Sequence, residues 1–99
     1  MAIMEISIIP LGLGHPSVGE HIAAVEDYLR RQNLPHQLTD MGTLVHGDAS
    51  RLLEVAQALH NLPFTQGVKR VVTHITIDDR RDKEVRLGDK TSAVQARLA

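Results

Sequence analysis

The sequence predicts an α+β domain with a ferredoxin-like β-α-β-β-α-β order, one antiparallel four-stranded sheet and an added C-terminal helix. Three observations carry this expectation. Runs near the start and in the second half of the chain alternate apolar and polar residues with the period of a strand. Two stretches between them repeat apolar residues at three- and four-residue steps. Two short strand-like segments lie so close together that only a hairpin joins them. Right-handed crossovers around that hairpin place both helices on one face of a single sheet. Ninety-nine residues suffice for one core and no more, so the expectation is one domain over residues 1–99.

Residues 2–9 alternate, with Met4, Ile6 and Ile8 on one side and Ile3, Glu5, Ser7 and Ile9 on the other. Pro10 and the Leu11-Gly12-Leu13-Gly14 turn are expected to end this strand. The G-x-G lacks the third glycine of a dinucleotide fingerprint and reads as a strand-to-helix loop. Ser17-Val18-Gly19-Glu20 has capping-box spacing, so a helix should begin at Val18 and bury Val18, Ile22, Val25 and Leu29. Asn33 and Pro35 stop it. A strand over His36–Asp40 and another over Thr43–Gly47 then flank Met41-Gly42, whose glycine is expected for its permissive φ.

Asp48 or Ser50 should cap the second helix, with Leu52, Val55, Ala56 and Leu59 inward and Pro63 beyond its end. The long strand follows. In it Val71, Thr73, Ile75 and Ile77 face the helices, while Arg70, Val72, His74, Thr76 and Asp78 face away. Asp89 or Thr91 opens a short last helix, stable only if it docks, with Val94 and Leu98 inward.

The charge is near balance, with 11 basic and 12 acidic residues, which gives no field for binding phosphate backbones. Two aromatics, Tyr28 and Phe64, make no base-stacking platform. Without cysteine there is no disulfide, thiolate metal site or thiol nucleophile, which fits a cytoplasmic protein. The beginning of the chain, with an early glutamate and no positive leader, reads neither as a signal peptide nor as a membrane span.

The sheet face away from the helices should carry Glu5, Ser7, Ile9, Gln37, Thr39, Leu44, His46, Arg70, Val72, His74 and Thr76. That mixture is too apolar to lie bare and too polar for a core. A contact with another copy of the chain, enclosing polar pockets, satisfies both constraints.

Glu5-Ile6-Ser7-Ile8-Ile9-Pro10, Met41-Gly42-Thr43, and the run from Pro63-Phe64 through Gly67-Val68-Lys69-Arg70-Val71 to Asp78-Asp79-Arg80-Arg81-Asp82-Lys83 together resemble the thiamine-binding protein family. The resemblance spans the whole chain. It implies a ferredoxin-like subunit, a dimer through open sheet faces, and a tetramer made of two such dimers. It also implies binding of thiamine or its hydroxymethylpyrimidine half, as ligand rather than cofactor, without catalysis. By the same resemblance the ligand-binding positions are Ser7, Pro10, Thr39, Met41, Gly42, Thr43 and Thr76. His46 departs from the family, whose members often carry an acidic residue there.

Thiamine presents an aminopyrimidine edge, a thiazolium cation and a hydroxyethyl tail. Its site needs hydroxyls or backbone groups, an apolar wall and an anion near the cation. Ser7, Thr39, Thr43 and Thr76 supply hydroxyls, Ile9, Met41 and Val72 a wall, and Glu5 an anion. The bland alternative is that serine and threonine merely suit strands at a wet interface. Two other functions stay open: a homo-oligomeric interaction module without a small ligand, and a small metal enzyme using His46 and His74. No H-x-x-x-H pair or nucleophile motif supports the latter, and no metal site is expected. His21 and His60 read as helix-surface residues and His15 as a loop residue. The charges from Asp78 to Glu84 read either as a solvated turn or as intersubunit ion pairs.

Overall fold

The computed structural model of the chain describes residues 1–15 and 18–98. Its elements are β1 (Ala2–Leu11), α1 (Gly19–Arg31), β2 (His36–Leu38), β3 (Thr43–Gly47), α2 (Ala49–Thr65), β4 (Arg70–Asp79) and α3 (Asp89–Leu98). The strands form one antiparallel sheet in the order β2-β3-β1-β4, the ferredoxin-like arrangement with an added helix. β1 pairs with β4 over its whole length, Ala2 opposite Asp79 through Leu11 opposite Arg70, without a bulge. With β3 it pairs only from Ala2 to Ile6.

Period-two patterning decides which face of the sheet is buried. Ala2, Met4, Ile6 and Val45 meet Val25 and Leu29 of α1 and Leu52, Val55, Ala56 and Leu59 of α2 in one core. The edge of that core departs from expectation. Ile75 faces the helix side yet is 45% exposed, because β4 is the outermost strand and lies at the margin of the helix layer. Val18 is half-buried and Ile22 exposed, so only the second half of the α1 stripe, Val25 and Leu29, enters the core.

Both long helices end in the same way. Asn33 has φ 55°, the Asn33 amide donates to the Arg30 carbonyl, and the Leu34 amide donates to that of Leu29. At the end of α2, Gly67 has φ 88°, and the amides of Gly67 and Val68 donate to Phe64 and Pro63. These paired bonds are the Schellman closure, which satisfies the last carbonyls of a helix through one left-handed residue. Pro63 therefore lies within the last turns of α2 and not beyond them. Its ring is buried, and its carbonyl anchors the closure. At the helix starts the expected caps are weaker. Ser17 lies outside the described residues, and Val18 holds the cap position of α1. Asp48 caps α2 by backbone position, without a side-chain bond.

Pro10 does not end β1 but sits inside it, opposite Val71. Beyond Ile6 the β3 side of β1 has no strand neighbour, so a missing N–H on that side costs no ladder bond. β2 ends at Leu38, earlier than expected, because Thr39 and Asp40 belong to the turn.

The chain after β4 folds back across part of the open sheet face. The His46 Nε2–H donates to the Val85 carbonyl at 2.8 Å, and Val85 is buried. Leu87 and Gly88 roof a recess floored by Ile3, Glu5, Leu44 and Thr76. One end of that face is thus covered by the chain itself. A carboxylate in place of His46 could not make this bond, since a carbonyl only accepts.

α3 buries none of its residues: Val94 is 57% and Leu98 80% exposed, against the expectation that both turn inward. The charges between β4 and α3 pair locally, Arg80 with Asp82 and Arg81 with Asp79, while Lys90 in the first turn of α3 reaches back to Asp78. The hydrogen bond from Arg81 lowers the Asp79 pKa, and that from Arg80 lowers the Asp82 pKa.

Candidate functional site

The recess that gathers most of the expected site residues lies where β3 leaves β1. The β2–β3 turn closes it on one side and the first two turns of α1 on the other. It has a volume of about 210 Å³. Ser7, Thr39, Met41, Gly42 and Thr43 line it, with Ile22 and His21 from α1. Two expected residues fall elsewhere. Pro10 is buried and is not among the lining residues. Thr76 belongs to the separate recess under Leu87 and Gly88.

The sequence of β1 explains why a cleft forms here. Ile6, Ser7, Ile8 and Ile9 all line it, although successive side chains of a strand point to opposite faces. Four consecutive residues share one wall only if the strand presents its edge. The Ile6 carbonyl oxygen lies 3.0 Å from the position a Cβ would take on Gly42, so the backbone groups of Ile6 point toward β3. By the alternation of an antiparallel strand, those of Ile8 point the same way. At Ile8 the ladder to β3 has already ended, and no other backbone bond of the described residues uses its N–H or C=O. One donor and one acceptor, side by side, therefore face an apolar cleft.

The hydroxyls are less available than their residue types suggest. Thr39 Oγ1 donates to the Gly42 carbonyl at 2.8 Å and accepts from the amides of Met41 and Gly42 at 3.3 and 3.2 Å. It is the staple of the turn. Thr43 is buried on the helix side, where its hydroxyl donates to Glu26 Oε2 at 3.0 Å. Glu26 in turn lies 3.9 Å from His36 Nε2, whose Nδ1–H is held by the Leu34 carbonyl at 2.7 Å. Among the described residues, Ser7 alone of the three cleft hydroxyls has no intramolecular hydrogen bond.

Met41 is 83% exposed, an apolar flap at the mouth. Asp40 lines the cleft and gives it one carboxylate, while Glu5, whose Cγ packs near Gly42, lines the separate recess with Thr76. Gly42 has no positive φ. The glycine is required by its close approach to the β1 backbone, a different reason from conformational freedom.

Sequence reasoning places Ser7, Thr39 and Thr76 on the open sheet face, and the structure puts the cleft at the strand edge. It overlooked α1 as a wall and the Glu26–Thr43 bond. Val18 and Ile22 had the right spacing for a buried stripe, and nothing in that spacing separates a core position from a cleft position. His21 borders the cleft half-buried rather than standing on an open helix surface. His60 is likewise half-buried, with Nδ1 at 2.7 Å from Thr73 Oγ1. His46 is engaged by Val85, and among the described residues no three His, Asp or Glu side chains gather in metal-ligand reach.

Comparison with known proteins gives a consistent pattern. The sequence profile of the family described as "Thiamine-binding protein" matches residues 4–95. A UPF0045 protein encoded in the glkA 3' region of Staphylococcus xylosus is 44% identical, over 99% of this chain and 95% of its own. The UPF0045 protein YqgV of Bacillus subtilis is also 44% identical, over 99% of this chain and 98% of its own. The crystal structure of the hypothetical protein MJ1052 from Methanocaldococcus jannaschii superposes with a TM-score of 0.83 at 32% identity, covering 95% of each chain.

Proposed function

The chain belongs to the thiamine-binding protein family, and from that membership we propose that it binds thiamine or its hydroxymethylpyrimidine moiety in the cleft beside β1, without catalysing a reaction on it. The observation that carries the reading is that, among the described residues, the N–H and C=O of Ile8 have no partner inside an apolar wall. An aminopyrimidine offers the matching pair, a ring nitrogen that accepts and an exocyclic amine that donates. Such a pair, shielded from water, gives orientation and specificity. Ser7 adds a free hydroxyl. Ile9, Ile22 and Met41 supply apolar surface, and Asp40 is the carboxylate of the cleft that would face the thiazolium cation. Thr39 and Gly42 act by holding the turn, Thr43 by tying β3 to Glu26 of α1, and Pro10 by its place on the same free edge. Thr76, in the neighbouring recess, would serve only a ligand that reached the open face.

A carrier, buffer or salvage role follows from binding without chemistry. Among the described residues, Ser7 and His21 both line the cleft but no hydrogen bond joins the hydroxyl to the imidazole. The cytoplasm is the compartment that the cysteine-free composition fits. We place a dimer contact on the part of the open sheet face that the tail leaves bare, around Ser7, Ile9, Val72 and His74, and a tetramer on a second contact. Exposed Ile9 and Leu11 on that face and exposed Val94 and Leu98 on α3 support assembly. The cleft beside Ser7 and Thr43 favours this reading over an interaction module without a ligand.

Isothermal titration of the purified protein with thiamine and with hydroxymethylpyrimidine tests the proposal. Saturable heat is expected for at least one of them, together with a raised melting temperature at saturation. Ile22→Trp, which fills the cleft from α1, should abolish that heat while the protein stays folded. Absence of heat and of thermal stabilisation at millimolar ligand would refute the assignment.

A further inference from the structure

Building on the cleft assignment above, we infer that Asp40 makes the cleft selective by charge: it takes the intact thiazolium cation in preference to the neutral pyrimidine half, and it rejects phosphate esters of thiamine.

The Asp40 carboxylate has no task in the fold. An aspartate at a turn ordinarily accepts from the backbone two residues on. Thr39 has taken that place, since its Oγ1 accepts from the amides of Met41 and Gly42 and donates to the Gly42 carbonyl. Among the described residues Asp40 enters no hydrogen bond and no ion pair. It nonetheless lines the cleft, together with Ile8, Ile9 and Ile22. An acceptor without a partner, set into an otherwise apolar wall, is open to a cation.

Nothing in the cleft cancels its sign. Among the described residues no lysine or arginine lines the cleft, and His21 is the only other titratable side chain there. The Thr43 hydroxyl is turned to another carboxylate, that of Glu26. Lys69 and Arg70 belong to a separate groove, which shares only His21 with the cleft and also holds Glu20. An anion seated in the cleft would therefore meet a carboxylate and no basic side chain.

Three related ligands differ chiefly in what they bring to Asp40. The pyrimidine half is neutral and would be read by Ile8 and the apolar wall alone. Thiamine keeps that half and adds a permanent positive charge. A phosphate ester adds about −1.5 to −2 charges at neutral pH. A carboxylate and a cation about 4 Å apart at a wet surface attract by an amount equal to about a fivefold change in Kd, and by more where an apolar wall lowers the local dielectric.

Titration calorimetry of the intact protein with thiamine, hydroxymethylpyrimidine and thiamine monophosphate tests the inference apart from the assignment it rests on. Thiamine should bind about fivefold tighter than the pyrimidine or better, and the monophosphate about tenfold weaker than thiamine. Asp40→Asn should weaken thiamine about fivefold and leave the pyrimidine within about twofold, and Asp40→Glu should restore thiamine. Added salt should weaken thiamine binding to the parent protein and not to Asp40→Asn. Three results would overturn the inference while leaving the cleft assignment in place: equal loss of thiamine and pyrimidine in Asp40→Asn, no loss of either, or monophosphate bound as tightly as thiamine. Failure of all three ligands to bind would remove both.

Discussion

Gly42→Ala places a methyl group 3.0 Å from the Ile6 carbonyl oxygen, a backbone atom that cannot move aside cheaply. We expect a loss of about 1–3 kcal/mol in urea unfolding, the range for overpacking in a tight site; an unchanged midpoint would contradict the close approach. Thr43→Val keeps the shape but removes the donor to Glu26 Oε2. A half-buried carboxylate left without that partner should cost about 1–3 kcal/mol by the same measurement. Neither role could be read from the residue type. A glycine beside a hairpin announces a turn, and only the register of β1 against β3 shows that it makes way for another strand. Likewise a threonine on a strand announces a hydroxyl, and only the packing of α1 shows that Glu26 has already claimed it. The chemistry of Ile8 was hidden for the same reason: backbone groups carry no sequence signal, and a free edge is a fact about neighbours.

At the scale of elements the sequence was most informative where a local rule acts alone. Strand periodicity in β1 and β4, the Asn33 stop, the hairpin at Met41-Gly42 and the apolar stripe of α2 all follow from spacing and turn chemistry. Expectations failed where burial depends on position in the whole sheet. Ile75 has the right parity but lies on an edge strand, and Val94 and Leu98 have the right spacing but no surface to meet within the chain. Pro63 and Pro10 are expected as terminators, yet both lie inside their elements: the missing N–H of Pro10 faces the unpaired side of β1, whereas Pro63 forgoes the intrahelical bond to Leu59 and is kept by its buried ring. The tail over the open face offers a test at this scale. His46→Asp sets an acceptor against the Val85 carbonyl and should release the segment from Lys83 to Gly88. Hydrogen exchange there should quicken while β1 and β3 stay protected; unchanged exchange would show that the bond does not hold the tail. The neighbouring Asp79 and Asp82 titrate lower when paired with arginine, so their contribution is present above the ordinary carboxylate range and lost as pH falls through the lowered values. Both lie at the surface, and Arg80→Ala with Arg81→Ala should leave the acid unfolding midpoint nearly unchanged in added salt.

For the molecule as a whole, the cleft beside β1, the recess under the tail and two kinds of unsatisfied surface coexist on a small subunit. The cleft beside β1 is lined by residues of one chain, whereas α3 and the bare half of the sheet face expose apolar side chains that a single copy does not cover. Removal of residues 89–99 should therefore lower the oligomeric state seen by sedimentation while leaving thiamine binding intact; loss of binding with the helix would place the site between subunits. The most direct test of the account is the amide spectrum of labelled protein during a thiamine titration. The largest shifts should fall on Ile8 and its neighbours Ser7, Met41 and Gly42, with the Ile8 amide moving as it gains a hydrogen bond. Shifts confined to His74 and Thr76 on the open face, or none at saturating ligand, would contradict it.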